Sequence, residues 1–188
     1  YSWFSDTNVY FLAWGDGPGS RMAQVSGALG AAVGDTVTSA SMRVHLEQDL
    51  QYERQLAFME ENADHWFWRE MKDKEQYSVP LSLPTPEAAY SFRLRVEMQG
   101  TTYLPATPDH KVTVSLNGEE LGTVTWDNQE VKIFDNSRKN NGLLKNDNTI
   151  TLYLPCDLPN VSYDRVLLNW IKLECTAALK AVNDSLRF

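Results

Sequence analysis

One stretch decides the fold: His110–Trp126, which reads HKVTVSLNGEELGTVTW. Apolar side chains recur at every second position from Val112 to Leu116, and this period of two is typical of a β-strand with one buried face. Asn117-Gly118 then interrupts the alternation. Asn-Gly is favoured in type I′ turns because both residues tolerate positive φ. The stretch therefore predicts a β-hairpin with one strand on each side of this turn.

The same alternation recurs along the chain on both sides of the hairpin. In Ser39–Tyr52, for example, Met42, Val44 and Leu46 fall on one side and charged residues on the other. Further strands are predicted at Asn8–Trp14, Tyr77–Leu83, Ala89–Met98, Gln129–Asp135, Thr149–Leu154 and Tyr163–Cys175. Short strands at regular intervals with almost no helix predict an all-β fold, an antiparallel β-sandwich of the jelly-roll type.

Residues 55–71 depart from this pattern. Leu56, Met59, Ala63 and Phe67 recur near helical spacing, which predicts a short helical insertion near residues 55–71. For the organisation of the chain, we expect a β-sandwich accessory domain at residues 1–176. Residues 177–188 are expected to form a linker or the first strand of a following segment.

Composition and charge exclude several classes of function. The chain has 188 residues, 43% of them hydrophobic, and a formal net charge of −8 from 17 basic and 25 acidic residues. Proteins that bind nucleic acids or anionic membranes present a basic face, yet the longest basic cluster here is Arg138-Lys139. No uncharged run approaches the roughly 20 apolar residues that cross a bilayer. We therefore expect no nucleic-acid partner and no membrane span.

Several segments of the chain resemble known families. VTVSLNGEELGTVTW, LLKNDNTITLYLP and YDRVLLNWIKLE, which lie between Val112 and Glu174, resemble the galactose-binding-like jelly roll of many carbohydrate-binding modules. Ser5–Met22 (SDTNVYFLAWGDGPGSRM), His45–Tyr52 (HLEQDLQY) and Asp64–Met71 (DHWFWREM) resemble the region before the catalytic domain in gingipain-type secreted cysteine peptidases, including the sortase-like proteins of type IX secretion. Together the resemblances span nearly the whole chain.

The peptidase resemblance implies that this chain is not itself an enzyme. The catalytic His–Cys dyad of that family lies in a caspase-like α/β domain with no counterpart here, and neither Cys156 nor Cys175 stands in its motif. The resemblance implies a non-catalytic N-terminal accessory module that packs on the peptidase domain of the same chain, or positions that enzyme on its substrate or at the cell surface. It also implies a secreted or cell-surface location in a Gram-negative bacterium.

Two other functions stay open. One is a carbohydrate-binding module with an exposed tryptophan platform, whose partner would be a carbohydrate. The other is an inhibitory pro-segment of the peptidase, with Gly15–Arg21 as the loop that reaches the catalytic cleft. A cell-surface protein is a further candidate partner.

Tryptophans are the candidate ligand-binding residues of the carbohydrate alternative. Trp66 and Trp68 alternate, so an extended segment would present both flat rings on one side, where a sugar ring can stack. Trp126 and Trp170 complete the expected platform. The competing interpretation is that these large rings are buried and contribute to packing.

Asp164 and Asn169 are polar candidates for the same ligand site. They flank the start of the last predicted strand, and loop ends of a jelly roll commonly carry binding residues. Asp and Asn also form turns and cap strands, which is the competing interpretation.

His45, Glu47 and Asp49 are the candidate metal ligands. They are spaced by two, so on a strand they share one face. The competing interpretation is a solvated strand face. No cofactor is otherwise expected. Calcium stays open as a stabilising ion, because it prefers carboxylate and carbonyl oxygens.

Overall fold

The computed structural model describes residues 37–54 and 64–180, and every regular element within them is a β-strand. The strands, in chain order, are β1 (Ser39–Glu47), β2 (Gln51–Tyr52), β3 (Trp66–Phe67), β4 (Arg69–Lys72), β5 (Gln76–Ser82), β6 (Ser91–Gly100), β7 (His110–Leu116), β8 (Glu119–Trp126), β9 (Val131–Lys139), β10 (Asp147–Tyr153) and β11 (Arg165–Ala178).

The strands form two larger sheets and one short ribbon. The first sheet has the order β1-β11-β6-β9, and β4 pairs with the beginning of β11. The second sheet has the order β5-β10-β7-β8, and β2 pairs with β3 to form the ribbon. Neighbouring strands are antiparallel throughout the described residues. These findings confirm the predicted all-β, antiparallel β-sandwich.

The hydrophobic core lies between the two larger sheets. Alternate side chains of the long strands point inward, which the burial pattern of β7 shows by switching between buried and half-buried at every residue. One cluster of buried residues combines Leu94, Val96 and Met98 of β6 and Ile171 and Leu173 of β11 with Val112 and Val114 of β7 and Ile150 and Leu152 of β10. Each fully buried aliphatic side chain contributes roughly 1.5–3 kcal/mol relative to an exposed one.

The hairpin predicted at Asn117-Gly118 is confirmed. Leu116 pairs with Glu119, so the turn contains these two residues alone. Asn117 has a φ of 53° and Gly118 a φ of 84°, the left-handed conformation that a type I′ turn requires at both positions.

The predicted helical insertion near residues 55–71 is not seen. Residues 64–72 form β3, a bend and β4, while residues 55–63 lie outside the described residues. Extended backbone prevails because β11 offers hydrogen-bond partners: the Trp68 N–H donates to the Leu168 carbonyl at 2.8 Å, and β4 continues this pairing. The strand predicted at Asn8–Trp14 and the loop Gly15–Arg21 also lie outside the described residues. No helix in the described part of the chain could span a membrane.

Candidate binding surfaces

The β2–β3 ribbon rests on the outer face of the first sheet. Val166 and Leu168 of β11 point into the core, so Leu167 between them points outward. Phe67 covers Leu167, and the two form a small buried cluster separate from the main core. Within the ribbon, Tyr52 pairs with Trp66. Because neighbouring side chains of a strand point to opposite faces, burying Phe67 turns Trp66 towards solvent.

The outward side of this ribbon is an aromatic patch, which we define as Leu50, Tyr52, His65 and Trp66. Leu50 is 70% exposed, Tyr52 54% and Trp66 46%. The rings of Tyr52 and Trp66 meet edge to face with centroids 5.1 Å apart, and Tyr52 lies 5.8 Å from the His65 ring. Large apolar side chains gathered on a surface in this way mark interaction sites.

A groove of about 520 Å³ adjoins the patch at Leu50. Trp68, Arg69 and Tyr77 line it together with polar side chains. The Arg69 guanidinium lies 4.5 Å from the centre of the Tyr77 ring and also contacts Glu75, while Trp68 is only 7% exposed. Trp68 meets Tyr77 edge to face. The groove therefore presents mainly polar groups, because its aromatic rings already pack against each other and against Arg69.

The structure does not bring the four candidate tryptophans together. Trp66 lies in the aromatic patch, whereas Trp68 packs in the main core. Trp126 is also in the core, 5% exposed, and stacks on His110 with centroids 4.9 Å apart. Trp170 lies on the outer face of the first sheet between His45 at 5.7 Å and the Lys172 ammonium at 5.0 Å. These rings do not form one flat platform.

Asp164 belongs to a buried polar cluster rather than to an open loop. Its Oδ1 lies 2.6 Å from His110 Nδ1, and its Oδ2 accepts a hydrogen bond from the Lys111 N–H. His110 Nε2 lies 2.9 Å from the Asn128 carbonyl oxygen and 3.3 Å from Thr102 Oγ1. Asp164 and His110 are both fully buried. The cluster joins the start of β7 to the loop before β11.

Asn169 lies elsewhere, at an irregularity in the pairing of β11 with β6. It is buried, and its side-chain N–H donates to Glu97 Oε1 at 2.9 Å. Burial raises the pKa of the Glu97 carboxyl, and the charges of Asp64 and Glu47 raise it further. Hydrogen bonds from Asn169 and Trp170 oppose this shift. Asn169 therefore hydrogen-bonds to the partly buried Glu97 carboxyl, and it does not share a site with Asp164.

The three candidate metal ligands lie at and just beyond the end of β1. His45 Nε2 is 2.8 Å from Glu47 Oε2. Limited burial, followed by the charges of Glu47 and Asp64, raises the pKa of the Asp49 carboxyl. Among the described residues, no group of three or more His, Cys, Asp or Glu side chains is arranged to hold a metal ion. His45 and Glu47 contact each other instead.

Sequence patterns alone did not single out Leu50, Tyr52 or His110. Leu50 and Tyr52 continue the apolar alternation of β1 and so resemble core positions in the sequence. His110 opens the hairpin stretch but carries no motif. Only its contacts with Asp164 and Trp126 show that it is a centre of packing.

Comparison with known proteins gives similarity at the level of fold. No protein-family model matches the chain, and no curated protein sequence matches it. Among solved structures, dimeric latent PorU from Porphyromonas gingivalis matches with a TM-score of 0.60 and 12% identity, over 82% of this chain and 14% of that chain. The matched part of this chain thus corresponds to about a seventh of the length of PorU.

Smaller modules also match, with lower scores. The CBM36-1 domain of a xylanase from the hindgut metagenome of Trinervitermes trinervoides has a TM-score of 0.42 and 12% identity, over 70% of this chain and 96% of that chain. A family 35 carbohydrate-binding module from an environmental isolate has a TM-score of 0.40 and 12% identity, over 76% and 91%. At such identities, the PorU match shows a shared β-sandwich fold.

Proposed function

We propose that this chain is a non-catalytic accessory module of a secreted gingipain-like cysteine peptidase, and that it docks on the peptidase domain of the same polypeptide through the aromatic patch. The observation that carries this proposal is the exposure of Leu50, Tyr52 and Trp66 side by side on a ribbon anchored from beneath. Tyr and Trp are enriched among the residues that contribute most to protein–protein binding.

The patch is suited to docking because it is held in place before a partner arrives. Phe67 is buried on Leu167, and the Leu50 N–H donates to the Phe67 carbonyl at 3.0 Å. Gln51 Oε1 accepts a hydrogen bond from the Glu70 N–H, which ties the ribbon to β4. A surface ordered in advance loses less conformational entropy on binding. The polar side chains of the adjoining groove supply the kind of rim that surrounds an apolar interface centre.

A catalytic role for the described residues finds no support. A nucleophilic cysteine needs a lowered pKa, whereas burial raises the pKa of both the Cys156 and the Cys175 thiols. His110 and Asp164 resemble a base and its orienting carboxylate, but both are fully buried and His110 Nε2 already faces the Asn128 carbonyl. Substrate has no access to this pair.

The choice of partner rests on the sequence resemblance to the peptidase family and on the PorU fold match. In PorU the matching region is 14% of a longer chain, which supports the idea that this fold works beside other domains. A secreted or cell-surface location follows from the same proposal.

Protection experiments test the docking. The 188-residue chain is mixed with the peptidase domain of its parent protein, and hydrogen exchange is followed at residues 50–52 and 64–67. We expect slower exchange there, and at least a tenfold loss of affinity for Trp66→Ala or Tyr52→Ala. Tyr90→Ala is the matched control, because Tyr90 is 47% exposed outside the patch. Unchanged exchange at the patch, or equal loss in the control, would contradict the proposal.

A carbohydrate-binding module is the second candidate, and the half-exposed Trp66 ring beside a polar groove favours it. Intrinsic fluorescence titrated with neutral soluble polysaccharides, with and without calcium, separates the two functions. A saturable shift that Trp66→Ala abolishes would support sugar binding. No shift across the panel would leave protein docking as the function of the patch.

A further inference from the structure

A second pocket, independent of the aromatic patch, lies at the end of the sandwich that carries the Asn117-Gly118 turn. It has a volume of about 350 Å³, which is within the roughly 300–1,000 Å³ typical of small-molecule sites. Its walls come from the β7–β8 turn, the end of β9 and the loop that leads to β10. We name it the basic pocket for Arg138, Lys139 and Lys145, which line it together with Glu119.

The charges in the basic pocket are not balanced. Arg138 Nη2 contacts Glu119 Oε1 at 2.6 Å, and this leaves the other guanidinium donors of Arg138 open. Lys139 and Lys145 have no ion-pair partner among the described residues. Three basic residues and one acidic residue thus line the pocket, in a chain whose formal net charge is −8. A concave site with an excess of positive charge attracts anions.

The backbone around the basic pocket is held by asparagine side chains. Asn140 Oδ1 accepts from the Leu144 N–H at 2.6 Å, and Asn140 Nδ2 donates to the Glu87 carbonyl. Asn117 Nδ2 donates to the Leu143 carbonyl at 2.7 Å. These bonds fix the loop between β9 and β10 in one conformation, so the lysines are presented from a preformed frame.

The other residues of the lining indicate which further groups a ligand would need. Glu119 can accept hydrogen bonds, and the Asn141 side-chain amide, which makes no hydrogen bond to the described residues, can both donate and accept. Leu143 is the one apolar side chain in the lining, so a peptide would find no anchor of the kind that protein interfaces use. Sugar hydroxyls need both donors and acceptors, and Lys139 and Lys145, which are exposed and have no ion-pair partner among the described residues, can bind an anion.

From these features we infer that the basic pocket binds an acidic sugar unit of a polysaccharide. The carboxylate or sulfate group would lie against Lys139, Lys145 and the open donors of Arg138. The ring hydroxyls would contact Glu119 and Asn141. The site lies outside the aromatic patch, and its occupation does not depend on the peptidase docking proposed above.

The inference is tested by titrating the whole chain with defined probes, followed by calorimetry and by amide chemical shifts. The probes are tri-galacturonate and a sulfated chondroitin tetrasaccharide, whose two results separate carboxylate from sulfate recognition. The comparison probes are neutral cellotetraose, a tetra-glutamate peptide and free sodium sulfate. We expect saturable binding of at least one acidic sugar, with shifts confined to residues 117–119 and 138–145. Raising the salt concentration should weaken it.

Paired variants decide whether the basic pocket is responsible. Lys139→Gln with Lys145→Gln should lower the affinity at least tenfold. Lys74→Gln with Lys180→Gln removes the same charge from exposed lysines outside the pocket and should leave it unchanged. Equal loss in both pairs would show a non-specific charge effect and overturn the inference. So would the absence of binding by both acidic sugars, or equally tight binding of the peptide or of free sulfate.

Discussion

Gly100, the last residue of β6, lies closer to the buried polar cluster than any side chain would allow. A Cβ added to Gly100 would stand 2.2 Å from the Asn128 carbonyl oxygen and 2.2 Å from His110 Nε2, where ordinary contacts are 3.4–4 Å. Both contacted groups are held by the cluster, since His110 is bonded to Asp164 and stacked on Trp126. Gly100→Ala must therefore displace the imidazole or the backbone.

The cost of this displacement has two parts. Forcing an extra methyl group into a packed interior costs roughly 1–3 kcal/mol. Moving His110 away from the Asn128 carbonyl breaks a 2.9 Å hydrogen bond and leaves buried polar groups without partners, at a further cost of about 1–3 kcal/mol. We therefore expect Gly100→Ala to lower the free energy of unfolding by about 4 kcal/mol, a large part of the 5–15 kcal/mol typical of a domain.

Urea unfolding followed by circular dichroism measures this loss. With a slope of roughly 2 kcal/mol per molar urea, the midpoint should fall by about 2 M. Gly118→Ala is the control, because a Cβ there meets no atom within 4 Å and only its positive φ of 84° opposes a side chain. Its cost should stay near 1 kcal/mol. A Gly100→Ala midpoint within 0.5 M of the wild-type value would refute the proposed close approach.

Three further predictions follow from burial. Trp126→Ala should destabilise the fold by about 3–5 kcal/mol because it empties a core site, whereas Trp66→Ala should cost under about 1 kcal/mol; equal costs in urea titrations would contradict the observed exposures. Burial raises the pKa of Glu97 in the folded state above its ordinary value of 4.5, so the ionisation of this carboxyl lowers stability as the pH rises above that value. Glu97→Gln should therefore gain stability relative to the wild type as the pH rises from about 4 towards neutral, and a difference independent of pH would count against this sign. Both thiol pKa values are raised, so Ellman's reagent at pH 7.5 should label the half-buried Cys156 slowly and the buried Cys175 only on unfolding; rapid labelling of Cys175 would disprove its burial.

The parts of the fold that could be predicted are those encoded by neighbouring residues. Asn117-Gly118 gave the central hairpin, because a two-residue turn with positive φ at both positions leaves few alternatives. Period-two alternation located most strands to within a few residues, although the last strand continues to Ala178 and β9 to Lys139. Where a strand ends also depends on its hydrogen bonds to the neighbouring strand, and the local sequence pattern does not show which strand that is.

The helical expectation failed for the same reason. Phe67 fits a helical period with Met59 and Ala63, but in the structure it pairs with Gln51 and is buried on Leu167. Those contacts are made with residues distant in the sequence. At this position, backbone hydrogen bonds to a neighbouring strand outweigh the helical spacing of the apolar residues.

The sequence by itself determined that this chain forms strands, where its main turn lies, and that its acidic surface does not suit nucleic acids. Only the tertiary structure decided which aromatic rings meet solvent. Trp66 and Trp68 are separated by one residue, yet one lies in the aromatic patch and the other in the core. The tertiary structure likewise placed two unpaired lysines in one pocket. The physical reason is that the chain bends at Trp68 between β3 and β4, so the alternation read from the sequence does not continue through it. The Trp68 N–H there donates to Leu168 of β11, a strand from elsewhere in the chain.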